Sequence, residues 1–141
     1  MKKYILILAV LVFVLLGCEK NEKISYEVEE LENELVDFKF IKDDKQDMIV
    51  KFTNKQTKEV TTSSDNNFKI YKVENKNELK EIDNPLGYKD IALIIPPKES
   101  LEQKIRLSNL ISNLSKGKYE IRKSFDYEDK SFESSLRFTI K

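Results

Sequence analysis

Residues 113–121 read NLSKGKYEI, and the fold turns on how they are understood. Leu114, Gly117 and Tyr119 are spaced L-x-x-G-x-Y. Glycine tolerates the backbone angles of a sharp bend that other residues resist. Gly117 would then make the bend and Leu114 would plug the end of a core. The Tyr119 ring would pack inside while its hydroxyl caps a backbone group upstream. An ordinary turn ahead of a strand fits the same spacing.

Working outward, the flanking residues alternate. Downstream, KYEIRKSF and FESSLRFTI are two strand-like runs joined by the polar turn DYEDK. Tyr119, Ile121 and Lys123 share one face of the first run, and Leu136, Phe138 and Ile140 one face of the second. Upstream, LSNLISNL reads as a loop or a short turn of helix. Before it, Leu101, Ile105 and Leu107 alternate with Glu102, Lys104 and Arg106, and Gln103 falls on the inner side. YKDIALII (residues 88–95) is the most apolar stretch after the N-terminal segment and reads as a strand buried on both faces. Pro96 and Pro97, which cannot donate to a ladder, end it.

Further upstream, DNPLG is turn chemistry around Pro85 and Gly87. FKIYKV, the turn ENKN and the short strand ELKEI precede it. NKQTKEVTTSSDNN reads as a polar connection. Val36, Phe38 and Phe40, then Met48, Val50 and Phe52, form two period-two runs around the turn KDDKQD, a hairpin pattern. Asp43, Asp44 and Asp47 crowd that turn, but no glycine shapes it and no distant glutamate completes a calcium loop. The stretch SYEVEELENEL fits a strand or a helix equally well. Seven or eight strands with frequent turns predict an all-β chain, a two-sheet antiparallel sandwich spanning residues 35–141.

The L-x-x-G-x-Y spacing resembles the tyrosine corner of immunoglobulin-like sandwiches. VKFTN resembles the strand with a terminal asparagine seen in bacterial immunoglobulin-like domains, and FKIYKVENKNELKEI resembles their second hairpin. In that family a glycine and a tryptophan often stand where Asn77 and Leu79 stand here. LSKGKYEI resembles their L-x-P-G-x-Y-R stretch, with Lys116 for proline and Glu120 for arginine. LRFTIK resembles their closing strand. The resemblance runs from Val36 to Lys141. It implies an immunoglobulin-like β-sandwich that adheres or assists without catalysis.

The chain's only cysteine, Cys18, follows a different kind of segment. Lys2 and Lys3 precede an apolar run from Tyr4 to Leu16, shorter than the roughly 20 residues a spanning helix needs. A positive start, a short apolar middle and a small residue before a break read as a secretory signal over residues 1–17. Leu15, Leu16, Gly17 and Cys18 resemble the lipobox of bacterial lipoproteins, although a smaller residue is commoner at Leu16. That resemblance implies that the Cys18 sulfur takes a diacylglycerol and that cleavage leaves Cys18 first. Two long acyl chains hold a protein stably on a membrane, at about 0.8 kcal/mol per buried CH₂. The expected location is the extracytoplasmic face of the cell membrane. Residues 18–34 would then be the lipidated cysteine and an acidic tether.

Composition narrows the function. The chain has 25 basic and 25 acidic residues, and loss of Lys2 and Lys3 leaves a net charge of −2. That balance offers no field for nucleic acid. With no histidine there is no histidine-based triad or zinc site, and three glycines are too few and scattered for a phosphate loop. Ser108, Ser112 and Ser115 have no recognisable base. The expected function is therefore non-enzymatic binding of an envelope or extracellular partner, with an envelope protein the expected one, without cofactor or metal. The alternative is an inhibitor of an envelope enzyme that uses the rigid loop near Asp83–Tyr88 as a wedge, through Pro85 and Leu86.

Overall fold

The computed structural model describes residues 24–111 and 113–141. Its strands are β1 (Tyr26–Glu30), β2 (Val36–Asp44), β3 (Asp47–Asn54), β4 (Val60–Thr62), β5 (Lys69–Val73), β6 (Leu79–Ile82), β7 (Leu93–Ile95), β8 (Ser100–Ile105), β9 (Gly117–Tyr127) and β10 (Lys130–Ile140), with one short helix, α1 (Leu107–Ile111). Seven strands form one sheet and three the other, and every pairing is antiparallel. This is the expected all-β sandwich.

The hairpins follow the alternation. β2 and β3 pair from Val36–Asn54 to Asp44–Asp47. Phe38, Phe40, Met48, Val50 and Phe52 all turn inward and are buried. The chain reverses at Lys45 and Gln46, both at positive φ (53° and 70°), the conformation that matches strand twist in a two-residue hairpin loop. No glycine is present, and the Asp43 carboxylate steadies the turn by accepting from Gln46 N at 2.9 Å. β9 and β10 reverse likewise at Glu128 and Asp129 (φ 46° and 62°).

Strand β9 organises the larger sheet, whose main order is β1-β10-β9-β4-β7. Its edge away from β10 is shared. β4 pairs with Phe125 and Asp126, whereas β5 pairs with residues Lys118 to Arg122. The sheet therefore forks along this side, with β4–β7 on one branch and β5–β6 on the other. Aromatic rings join the two sheets across the core. Phe38 and Phe52 lie 4.6 Å apart between centroids, and Phe52 meets Phe125 edge-on at 5.2 Å.

Three expectations are corrected. Within SYEVEELENEL the strand reading holds for Tyr26–Glu30, which pairs with β10 from Tyr26–Ile140 to Glu30–Leu136. The sheet thus begins before residue 35, because Tyr26 and Val28 turn into the core and Asn33 ties the next turn to β10. The Asn33 amide donates to Ser135 O at 3.1 Å and accepts from Ser135 N at 2.9 Å. Within the polar connection, Val60–Thr62 is a strand, since fully buried Val60 gives it a hydrophobic anchor. Together β1 and β4 raise the strand count to ten. The largest correction concerns residues 88–95. Only Leu93–Ile95 is a strand, and Tyr88, Ile91 and Ile94 are 55%, 45% and 57% exposed. Alternation turns Ile94 to the outer face of this edge strand, and of its three residues only Ile95 is fully buried.

Candidate functional site

The corner residues come together at one end of the sandwich. Gly117 sits at φ +144°, a conformation that side chains resist. An added Cβ there would meet only Lys72 Cε at 3.8 Å, so it is the backbone angle that selects glycine. Tyr119 is buried, stacks on Phe138 at 5.4 Å, and donates from its hydroxyl to Ser115 O at 2.7 Å. Leu114 packs against the core from outside. This arrangement closes the sandwich end and offers no reactive group.

The acidic turn is likewise committed to structure. Asp43 accepts a hydrogen bond from the buried Tyr26 hydroxyl. Burial first, then Asp43, pushes that hydroxyl far above the usual tyrosine range. Asp44 pairs with Lys104 at 3.0 Å. Asp47 caps α1, accepting from Ser108 N at 3.1 Å and Ser108 Oγ at 2.5 Å. Ser108 therefore does have a carboxylate partner, but a carboxylate that also holds the Ser108 amide is a helix cap. No group of three potential metal ligands occurs among the described residues.

Two charged residues of β9 are buried, on opposite faces. Glu120 is 3% exposed on the outer face. Arg122 Nε donates to one of its oxygens at 2.7 Å and Arg137 Nε to the other at 2.8 Å. Burial pushes the Glu120 carboxyl up, but the two guanidiniums outweigh it and hold it below the usual range. Arg122 also stacks over Tyr71, 4.9 Å from the ring centre. Glu120 stands where the resembling family carries arginine, and here it pins two arginines to the sheet.

Lys123 points the other way, into the fork. It is 2% exposed, and burial lowers its pKa from 10.5 to about 8. Its amine donates to Ser64 O at 2.5 Å and Asn67 O at 3.0 Å. Gln103, from the opposite sheet, donates to Ser63 O at 2.9 Å. The loop between β4 and β5 is thus held from beneath by both sheets. That loop in turn holds residues 83–92. Ser64 Oγ donates to Lys89 O at 2.6 Å, and Asn66 Nδ2 to Gly87 O at 3.2 Å. Asn84 donates to Asn66 O and Phe68 O and accepts from Leu86 N at 3.0 Å.

The result is a fixed but exposed surface beside β7. A cleft of about 480 Å³ opens between the two loops, flanked by Asp65, Asn66, Lys89, Ile91 and Arg106. It is shallow, whereas small-ligand sites enclose most of their ligand. Asn66 Oδ1 is buried beside it without a hydrogen-bond partner. Of the loop residues expected to form a wedge, Pro85 is exposed, but Leu86 packs against the core. Tyr88, Ile91 and Ile94 are the exposed apolar residues instead. The one sequence signal for this surface was its hydrophobicity, which by itself reads as burial. Leu15, Leu16, Gly17 and Cys18 lie outside the described residues.

The model of a family described as a bacterial Ig-like domain matches residues 36–138. The match begins at β2, so β1 precedes it. No curated protein matches the chain. Among solved structures, a crystal structure of a protein from Archaeoglobus fulgidus is 13% identical, with a TM-score of 0.30, over 84% of this chain and 98% of that one.

Proposed function

We propose, from the premise that this chain belongs to the bacterial Ig-like domain family, that it is a lipid-anchored, non-enzymatic binding domain. It would sit on the extracytoplasmic face of the cell membrane and engage a protein of the envelope. Anchoring is supported by the residues themselves: a short apolar run closes on Leu15, Leu16, Gly17 and Cys18, the sole thiol.

One observation carries the binding reading. Among the described residues, three of the four exposed large apolar side chains, Tyr88, Ile91 and Ile94, cluster in one stretch, with Ile41 apart on β2, on backbone pinned by Ser64, Asn66 and Asn84. β1, through which an anchored chain would arrive, and β7 occupy opposite edges of the main strand order. Four strand spacings separate them, about 19 Å at 4.8 Å each. The apolar edge would therefore face away from the anchored strand.

Radiolabelled palmitate should enter the wild-type chain in its native host and fail to enter Cys18→Ser. Label persisting in that variant would end the anchoring reading. For binding, Tyr88→Ala with Ile91→Ala should lose a cross-linked envelope partner that the wild type retains. Equal recovery from both chains would move the binding surface elsewhere.

The inhibitor reading is favoured only by the rigidity that Asn84 imparts to Asp83–Tyr88. Since Leu86 is turned inward, such a wedge would present Pro85 and Tyr88. Inhibition of a co-purified envelope hydrolase that Tyr88→Ala abolishes would distinguish it from simple adhesion.

A further inference from the structure

We propose that the outer edge of β7 is a self-association site: two copies of this chain pair there, antiparallel, about a two-fold axis at Ile94. This rests on the reading of the 83–95 side as the binding surface and is independent of lipid anchoring.

Edge strands expose unpaired backbone groups, and proteins commonly blunt them with charge, bulges or cover. The free edges here differ in this respect. β1 carries Glu27, Glu29 and Glu30, the first two paired with Lys141 and Lys118, and charged side chains of this kind blunt an edge. β6 carries Lys80 and Glu81 at its centre, both exposed. In the smaller sheet, β8 carries Glu102 and Lys104. β2 is bulged between Phe40 and Lys42 and is covered in part by side chains, with Ser134 Oγ donating to Val36 O at 2.6 Å and the Glu30 carboxylate accepting from Phe40 N at 3.3 Å. β7 reads Leu-Ile-Ile, pairs only with β4, and has no charged residue; at its end Asn54 Nδ2 donates to Ile95 O at 3.0 Å, so the free backbone groups of this edge are those nearer Ile94.

Its own sequence fits a second copy. Antiparallel pairing centred on Ile94 sets Ile94 against Ile94 and Leu93 against Ile95. β-branched residues directly opposite one another on a sheet face are favourable pairs. Ile94 stands on the outer face, opposite Thr61 in the register with β4. The flanks are charge-complementary. In the same register Asp90 of one copy lies toward Lys98 of the other, and Lys89 toward Glu99. Glu99 N bonds Pro96 O at 3.1 Å, and this tight turn keeps both charges close to the strand end. Pro96 and Pro97 cannot donate, so the ladder stops after three residues. A two-fold contact of this kind is closed, and the glutamates of β1 discourage continuation from the far edge. The contact is small and therefore weak, reversible pairing.

The test uses the full chain in detergent, in a Cys18→Ser background so that an introduced cysteine is the sole thiol. Ile94→Cys places two sulfurs opposite one another across the axis. Ile41→Cys, at a residue 42% exposed on β2, is the control. Under mild oxidation Ile94→Cys should form a reducible dimer at least ten-fold faster than Ile41→Cys. Sedimentation in density-matched detergent should show Ile94→Lys shifted to monomer, and Asp90→Lys weakened in the same direction. Circular dichroism reports whether each variant is folded. Equal cross-linking rates, or an Ile94→Lys sedimentation profile identical to wild type, would overturn self-pairing. Cross-linking from position 94 to other proteins without a homodimer would also overturn it while leaving the binding surface intact.

Discussion

Strand β9 and the stretch from Tyr88 to Ile95 invert each other. β9 carries Glu120, Arg122 and Lys123, yet leaves Glu120 and Lys123 only 3% and 2% exposed. The stretch before Pro96 holds Tyr88, Ile91 and Ile94 and leaves each more than two-fifths exposed. The difference lies in the neighbours. β9 is paired with β10 on one side and with β4 and β5 on the other. Even Glu120 and Lys123 are covered, and each is matched by specific partners. β7 has a single neighbour three residues long. Burial is decided by the face a side chain stands on and by what covers that face, and side-chain polarity decides only what must accompany it.

The largest expected effect is in β9. Phe125→Ala should lower unfolding free energy by about 3–5 kcal/mol, the range for deleting a buried aromatic side chain. Denaturant titration would measure it, and a loss below about 1 kcal/mol would mean that the two sheets are not joined through this ring.

A pH titration sharpens the comparison next. Below about pH 8 Lys123 is protonated in both states and its burial cost is complete. Between about 8 and 10.5 the unfolded chain holds a proton that the folded chain has shed, so stability rises with pH. The rise is at most about 3 kcal/mol by this linkage. Tyr26 acts oppositely. Its pKa is raised by burial and by Asp43, so above about 10 the unfolded tyrosine ionises first and stability falls. Urea midpoints from pH 7 to 11 should pass through a maximum near 10. Lys123→Met should remove the rising limb and Tyr26→Phe the falling one. A rising limb that survives in Lys123→Met would assign it to another group.

Glu120→Ala should cost about 2 kcal/mol. Breaking a buried pair costs about 3–5 kcal/mol, but the Arg122 and Arg137 side chains are 30% and 20% exposed and regain water in part. At the small end, Ile94→Ser should change folding stability by no more than about 0.5 kcal/mol, as surface substitutions do. A loss of 2 kcal/mol there would show that the Ile94 side chain, and not Ile95 alone, supports the core.

Much of this inversion could be read from residue parity, and part of it could not. Alternation placed Lys123 with Tyr119 and Ile121, and Gln103 with Leu101 and Ile105, and all but half-buried Leu101 are buried. The same parity put Glu120 outward, and it is outward. Its burial comes from Arg122 and Arg137, one of them on a different strand. The hairpins were legible because one face of each is wholly apolar. β4 was hidden because a three-residue strand has too few residues to show a period, and β1 because Val28, Leu31 and Leu35 mimic a helix face. Residues 88–95 misled because hydrophobicity does not distinguish a buried strand from an exposed edge. The corner, with Leu114, Gly117 and Tyr119 within six residues, needed only local geometry.

The most direct measurement places a photoreactive residue at position 94, or at position 27 on β1, in the full chain within its native host. If the apolar β7 side is the recognition edge, position 94 gives cross-linked adducts containing a second copy or an envelope protein, and position 27 gives none. Adducts from position 27 with none from position 94 would contradict it.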